Sequence, residues 1–204
     1  MRTSQRVAAG LAAATALAVS VTGCGGNKSS SPSGSTTSTT GAPSSAPAMS
    51  ATAHPTDYAG LLIQATDIDA PLTFTASPPT NNPNGQPGVA TTFSTADNSH
   101  AIKDTIQVLS DPGAATNALN AAKSAQAGAI KDPATEAAKV GTDGTTLTGN
   151  APDGSHGVAI LLFTEGKAFV TLEFDGPADA LPPPEFVTDI GQKQDDAVKK
   201  GLGG

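Results

Sequence analysis

Apolar and polar residues alternate along two segments of the chain with the period of two that a half-buried β-strand requires. In residues 102–110, Ile106 and Val108 fall on one face, and residues 168–175 alternate in the same way. Residues 157–164 are instead apolar at nearly every position, which is typical of a central strand covered on both faces. Less regular runs predict three further strands, at 72–76, 89–95 and 145–148.

Apolar residues at helical spacing predict three helices. The first, 57–64, is short. The second, 112–129, follows an Asp-Pro pair in which Asp111 is a suitable N-cap and the proline suits the first helical position. The third, 184–200, carries lysines in its last turn and stops at Gly201.

Short turns between consecutive strands favour antiparallel pairing, and helices that are separate from the strands then cover the sheet. The predicted fold is therefore α+β, with an antiparallel sheet of about five or six strands covered by two main helices. The segment 77–88 is rich in proline, asparagine and glycine and is predicted to be a loop.

The N-terminus has the pattern of an export signal. Arg2 and Arg6 precede an apolar stretch of about 15 residues, 7–21, which is short for a membrane span of ~20 residues. Residues 21–24 read Val-Thr-Gly-Cys, and Cys24 is the only cysteine in the chain. This motif resembles the lipobox of bacterial lipoproteins.

The lipobox resemblance implies cleavage between Gly23 and Cys24 and a diacylglycerol thioether on Cys24, which would hold the protein on the outer face of the cell membrane. More than one acyl chain is needed for stable anchoring. Without a lipid, a lone cysteine in an exported chain would be a free reactive thiol. The alternative is a cleaved secretory signal with an incidental cysteine.

Residues 24–53 are predicted to be a disordered linker. Of the 25 residues 29–53, 14 are Ser or Thr and none is charged, so this stretch cannot bury enough apolar area to order itself. It is either a bare spacer or an O-glycosylated one. The remainder, 54–204, is long enough for a single core and is predicted to be one globular domain.

Charge and composition exclude several function classes for this domain. Residues 54–204 contain 18 acidic residues against 8 lysines, a formal charge of −10, and no arginine. The whole chain has no tryptophan, one tyrosine and six phenylalanines. Nucleic-acid binding needs cations for phosphate and aromatic rings for bases, so it is not expected here.

Catalytic and metal-binding chemistry has only weak candidates. The three histidines, His54, His100 and His156, lack the spacing of a zinc site. The residue types of a nucleophilic triad occur twice, as Ser99-His100 with Asp104 and as Ser155-His156 with Asp153. Sequence neighbours are poor triad partners, because a triad is assembled across the fold. We therefore expect solvated turn histidines and no catalytic, cofactor or metal site.

Other polar clusters also favour structural roles. Asp67 and Asp69, with Asp57, offer oxygen ligands for Ca²⁺, but the glycine and distal glutamate of a calcium loop are missing. Asp195-Asp196 and Lys199-Lys200 predict a solvent-exposed ion-pair face on the last helix. The glycine-rich segment 141–154 is not followed by a helix and lysine, as a phosphate loop would be.

The anchor and the domain pattern together resemble small mycobacterial-type lipoproteins and the extracytoplasmic sensor domains of some actinobacterial Ser/Thr kinases. The features that carry this are Leu61-Leu62 with Asp67-Ile68, the strand 102–109 running into an Ala-rich helix, and 158–174. Such sensor domains often contain disulfides, and this domain has no cysteine. The resemblance implies a binding or sensing module and transfers no catalytic residue.

The function expected from the sequence is a non-enzymatic, lipid-anchored binding module of the cell envelope. Its partner would be an apolar small molecule or an envelope protein, held in a groove between the sheet and either helix 112–129 or helix 184–200. The alternative for these apolar faces is a packed core without a groove. The alternatives are an envelope hydrolase with a site built from dispersed His, Asp and Ser, and a structural surface lipoprotein without a ligand. The oligomeric state stays open.

Overall fold

The computed structural model describes residues 57–203. The predicted signal peptide, the Gly23–Cys24 cleavage site, the linker and His54 lie outside the described residues. All the elements below belong to one compact unit. No helix in the described part is both long enough and apolar enough to span a membrane.

The described residues form one antiparallel sheet and two α-helices. Its strands are β1 (Phe74–Ala76), β2 (Thr80–Asn81), β3 (Gly88–Thr95), β4 (Ala101–Val108), β5 (Lys131–Ala137), β6 (Thr142–Asn150), β7 (His156–Glu165) and β8 (Ala168–Pro177). The helices are α1 (Pro112–Ala127) and α2 (Pro184–Leu202), and three short 3₁₀ turns lie at Ala59–Leu61, Ala65–Asp67 and Pro83–Gly85. The predicted antiparallel sheet with separate helices is confirmed, but the strand count of five or six is wrong.

The sheet order is β1-β3-β4-β8-β7-β6-β5, with β2 also paired to β3. β7 and β8 are central, which agrees with the unbroken apolar run of β7. Because β8 lies between β4 and β7, Ala101 and Val158 both pair with Asp175 near the end of β8. The β3–β4 and β6–β7 turns therefore meet at the same end of the sheet.

The two faces of the sheet carry two separate cores. α1 covers the face formed by Leu147, Ile160, Leu162 and Phe169 and contributes Ala115 and Leu119. α2 and the N-terminal segment cover the other, larger face, whose members come from β3, β4, β7 and β8 as well as from the 3₁₀ turns. Alternation along β7 and β8 sends successive side chains to opposite cores.

Helix α1 begins as the sequence predicts. Asp111 has extended backbone dihedrals, and its side chain accepts a hydrogen bond from the Ala114 N–H at 2.9 Å, which satisfies one of the free amides of the first turn. This bond lowers the pKa of Asp111. Small residues on the buried side, such as Ala115, let the helix lie close to the sheet.

Residues 57–64 do not form the predicted helix. Leu61, Leu62 and Ile63 are all buried, and three consecutive buried residues cannot share one face of a helix. The segment folds instead as 3₁₀ turns joined by extended backbone. Gln194 of α2, itself fully buried, replaces the missing helical bonds: it accepts from the Ile63 N–H at 3.1 Å and donates to the Leu61 carbonyl at 2.6 Å.

Two strands were not predicted from the pattern. β5 is polar and almost wholly exposed, so only its backbone pairing with β6 makes it a strand. β2 lies inside the predicted loop 77–88 and pairs with β3 over two residues. Helix α2 also continues past the predicted stop at Gly201, and it is Gly203 that takes the left-handed conformation (φ 71°) favoured by glycine after a helix.

Candidate functional site

A groove of about 650 Å³ opens at the end of the sheet where α2 begins. One wall is the segment that leads into β1, and the other is the segment that leads from β8 into the first turns of α2. β4 and β8 form the floor. The apolar lining residues are Ala70, Pro71, Leu72, Phe74, Ala101, Ile102, Phe174, Ala180, Leu181, Pro182, Pro183 and Phe186.

Aromatic packing holds the base of the groove. The rings of Phe174 and Phe186 meet edge to face, with centroids 5.9 Å apart and planes inclined by 72°. Such pairs contribute about 0.5–1.5 kcal/mol beyond the area they bury. Since Phe174 belongs to β8 and Phe186 to the first turn of α2, the pair ties the start of the helix to the sheet.

Two leucines on the groove walls are left in solvent. Leu72 is 43% exposed and Leu181 is 45% exposed, and they are the exposed large apolar side chains of the described residues. Both line this groove. A lone exposed leucine needs no explanation, but two that face one apolar groove form a continuous surface of the kind that binds ligands.

Carboxylates surround this apolar surface. Asp69, Asp175, Glu185 and Asp189 line the groove, whereas no lysine does. Asp175 is 2.8 Å from Lys103, and Asp189 is 2.8 Å from Lys193. Among the described residues, Asp69 and Glu185 have no basic side chain within ion-pair distance.

His100 reaches the groove from the β3–β4 turn. Its Nδ1 lies 2.9 Å from the Ser99 hydroxyl, which also lies 2.9 Å from Asp97. Asp97 also accepts hydrogen bonds from the Thr95 hydroxyl and the Ser99 amide. These hydrogen bonds lower the pKa of Asp97 to about 2, and the bond from Thr95 contributes most. The carboxylate thus holds the turn and orients the histidine.

The β6–β7 turn repeats this arrangement. Ser155 lies 2.6 Å from Asp153 and 2.8 Å from His156 Nδ1, and the hydrogen bond from Ser155 lowers the pKa of Asp153. The other ring nitrogen, His156 Nε2, is 3.6 Å from Asp175. Serine, histidine and aspartate therefore do converge here, through Asp175 of β8 as well as through the local Asp153.

The predicted partner of Ser99-His100, Asp104, is elsewhere. It lies in the middle of β4, fully buried, between Thr91 of β3 and Leu172 of β8. Neither carboxylate oxygen has a hydrogen-bond partner. Desolvation raises the pKa of Asp104 well above its ordinary value.

The ion pairs of α2 are less exposed than the sequence predicts. Asp195 is buried and contacts Lys199 at 2.6 Å, while Glu165 of the β7–β8 turn lies 3.9 Å from the same lysine. Burial and the nearby Asp195 raise the pKa of Glu165. These groups stand beside a smaller cavity of about 320 Å³. The predicted exposed face is therefore correct for Asp196, Lys199 and Lys200, which are exposed, and wrong for Asp195, which is buried.

Two of the three calcium candidates accept backbone hydrogen bonds at the 3₁₀ turns, and the third, Asp69, lines the groove. Asp67 accepts from the Gln64 amide at 2.7 Å, and Asp57 accepts from the Ala59 amide at 3.0 Å. Within residues 57–203, no group of three or more His, Cys, Asp or Glu side chains is arranged to hold a metal ion. The glycine-rich segment 141–154 is mostly β6 and is followed by a strand.

Sequence reasoning allowed for a groove beside helix 184–200, and the groove lies at the start of that helix. It did not assign residues 69–72 and 180–183 to a groove, because the pattern indicates Asp69 only as a calcium ligand and Leu72 only as the start of a strand, and because residues 180–183 carry no periodicity. The available signal was a leucine next to prolines in each segment, Pro71-Leu72 and Leu181-Pro182.

Comparison with known proteins gives no match: no family model, no curated protein and no solved structure matches the chain.

Proposed function

We propose that the chain is a lipid-anchored binding module of the cell envelope, on the outer face of the membrane, without enzymatic activity. The groove at the start of α2 is its ligand site, and the ligand has an apolar part. The observation that carries this is the placement of Leu72 and Leu181: both are exposed, and both face the groove. The volume of the groove, about 650 Å³, is in the range of small-molecule sites.

The test of the site uses Nile red, a neutral apolar dye whose emission rises on leaving water. We expect residues 49–204 to bind it and the double variant Leu72→Ser, Leu181→Ser to lose most of the signal. Because both leucines are exposed, the variant should keep its unfolding midpoint. Leu109→Ser, a half-buried leucine beside the α1 core, is the matched control and should still bind. Equal binding by all three proteins would place the dye elsewhere.

The anchor is tested separately. Cys24→Ala should move the protein from the membrane fraction to the soluble fraction. Cys24 is the only cysteine in the chain, so the variant has no thiol to which the lipid can be attached. Cys24→Ala protein that still partitions with membranes would contradict the anchor and leave the groove untouched.

A hydrolase is the second candidate, favoured by Ser155, His156 and Asp175. Two observations weigh against it. The Ser155 hydroxyl is also 2.6 Å from Asp153, so its single proton has a competing acceptor. The same Asp-x-Ser-His turn also closes the β3–β4 hairpin, which indicates a turn motif. A fluorophosphonate that labels the chain, but not its Ser155→Ala variant, would favour the hydrolase.

A further inference from the structure

The charges around the groove define its ligand more narrowly. The four lining carboxylates come from three separate parts of the chain: Asp69 before β1, Asp175 on β8, and Glu185 and Asp189 on α2. The nearby lysines are already engaged, Lys103 with Asp175 and Lys193 with Asp189. Asp175 and Asp189 are thus paired, and the unpaired negative charge of the groove lies on Asp69 and Glu185, which we call its rim.

This rim discriminates between apolar ligands by charge. An anionic headgroup, as on an acidic phospholipid or fatty acid, would approach the two unpaired carboxylates, and no lysine lines the groove to receive it. Like charges repel at such short range. A neutral ligand would leave the rim charges unused. A ligand with apolar and cationic groups side by side satisfies both parts of the site.

The distribution of the carboxylates further favours a polypeptide. A cationic amphiphile has one charged head, which can meet only one part of the rim. Asp69 lies on one wall and Glu185 on the other, and neither has a basic partner among the described residues. A peptide with basic residues on each side of an apolar one can meet both walls while its apolar side chain enters the groove.

We infer that the groove binds a segment of a partner protein in which leucine-like side chains are flanked by lysine or arginine. This inference rests on the proposed function, because it names the partner class of the same site.

The test is fluorescence anisotropy with three labelled, end-blocked peptides: one of alternating Leu and Lys, one with Glu in place of each Lys, and one with Ser in place of each Leu. We expect the Leu/Lys peptide to bind residues 49–204 at least tenfold more tightly than either of the others at low ionic strength. The preference should shrink in 0.5 M salt, since exposed charges are screened there.

Neutralising the rim gives the matched comparison. Asp69→Asn with Glu185→Gln should weaken the Leu/Lys peptide about three- to tenfold. The control, Glu136→Gln with Asp196→Asn, also removes two negative charges, but from exposed positions outside the groove. It should change the affinity for the Leu/Lys peptide less than twofold. If both double variants lost the same affinity for the Leu/Lys peptide, the effect would come from the net charge of the protein and not from the rim, and the inference would be overturned.

The dye and peptide results distinguish failure of the peptide inference from failure of the proposed function. Nile red binding that depends on Leu72 and Leu181, together with no preference for the Leu/Lys peptide or tighter binding of the Glu peptide, overturns the peptide inference alone. Loss of both the dye and the peptide signals overturns the proposed function.

Discussion

The two faces of the sheet are closed in different ways. On the α1 face a regular helix with a capped N-terminus packs small and aliphatic side chains onto the strands. On the α2 face the helix shares the surface with an irregular N-terminal segment, and buried polar groups occur there: Gln194, Asp104 and Asp195. The groove opens on this second face, where the helix and the irregular segments diverge.

This difference shows what an irregular cover requires. A helix satisfies its own backbone, so it needs only a complementary apolar stripe. Residues 61–63, where a 3₁₀ turn passes into extended backbone, cannot do so, and they depend on a side chain of α2 for two backbone hydrogen bonds. Irregular segments also leave space that side chains do not fill, and here that space has the features of a binding site.

The largest expected effect comes from removing the hydrogen bonds between Gln194 of α2 and the irregular N-terminal segment. Gln194→Leu would leave the Ile63 amide and the Leu61 carbonyl buried without partners, and each such orphan costs about 1–3 kcal/mol. We expect the free energy of unfolding to fall by about 2–4 kcal/mol in urea titrations. Gln192→Leu, two residues earlier and exposed, should change it by less than about 0.5 kcal/mol. Similar losses in both variants would refute the bridging role.

The next effect concerns Asp104, the buried polar group without partners. Asp104→Val should raise the free energy of unfolding by about 1–3 kcal/mol at pH 7, because it removes an unsatisfied carboxyl from an apolar face. Thr105→Val, the neighbouring half-exposed position of β4, is the control and should change little. A destabilised Asp104→Val protein would mean that the carboxyl makes a stabilising contact in the folded protein.

The pH dependence of the same residue sharpens this point. The pKa of Asp104 is raised in the folded state, so above the unfolded value near 4 the native protein holds a proton that the unfolded chain releases. This contribution to stability is present below pH 4 and is lost as the pH rises toward the folded pKa. Asp104→Asn should remove that decline. An unchanged slope of stability against pH would show that other groups cause it.

The smallest effect tests the regular face. Asp111→Ala removes one capping bond from α1 and should cost about 1 kcal/mol, within the usual 0.5–2 range for N-caps. Asn117→Ala, exposed in the middle of the same helix, should be neutral or slightly stabilising since alanine is the better helix former. Hydrogen exchange should show faster opening of the first turn of α1 in Asp111→Ala only.

Regular elements could be predicted because their signals are local. The Asp111-Pro112 pair marks the start of α1, and the alternation in β4 and β8 assigns their faces correctly. β5 could not be predicted, because its seven residues carry no apolar pattern and become a strand only through pairing with β6. The 57–64 helix was wrong for a related reason: its apolar spacing fits a helix, but Gln194 of α2 stabilises an extended path.

For the candidate site, the sequence allowed a groove beside either helix 112–129 or helix 184–200, and it showed that the domain contains no arginine. It could not show that Leu72 and Leu181, more than a hundred residues apart, line one groove, nor that Asp175 lies beside His156. The paired Asp-x-Ser-His turns are visible in the sequence, yet only the strand order β4-β8-β7 brings both to one end of the sheet.

The sequence by itself determined the periodic elements, the antiparallel α+β plan and the acidic, arginine-free character of the domain, because these depend on composition and on neighbours a few residues apart. Only the tertiary structure decided where on the sheet the groove opens and which of its lining carboxylates have no basic partner. Those outcomes depend on contacts between distant segments, where packing and hydrogen bonding outweigh local preference.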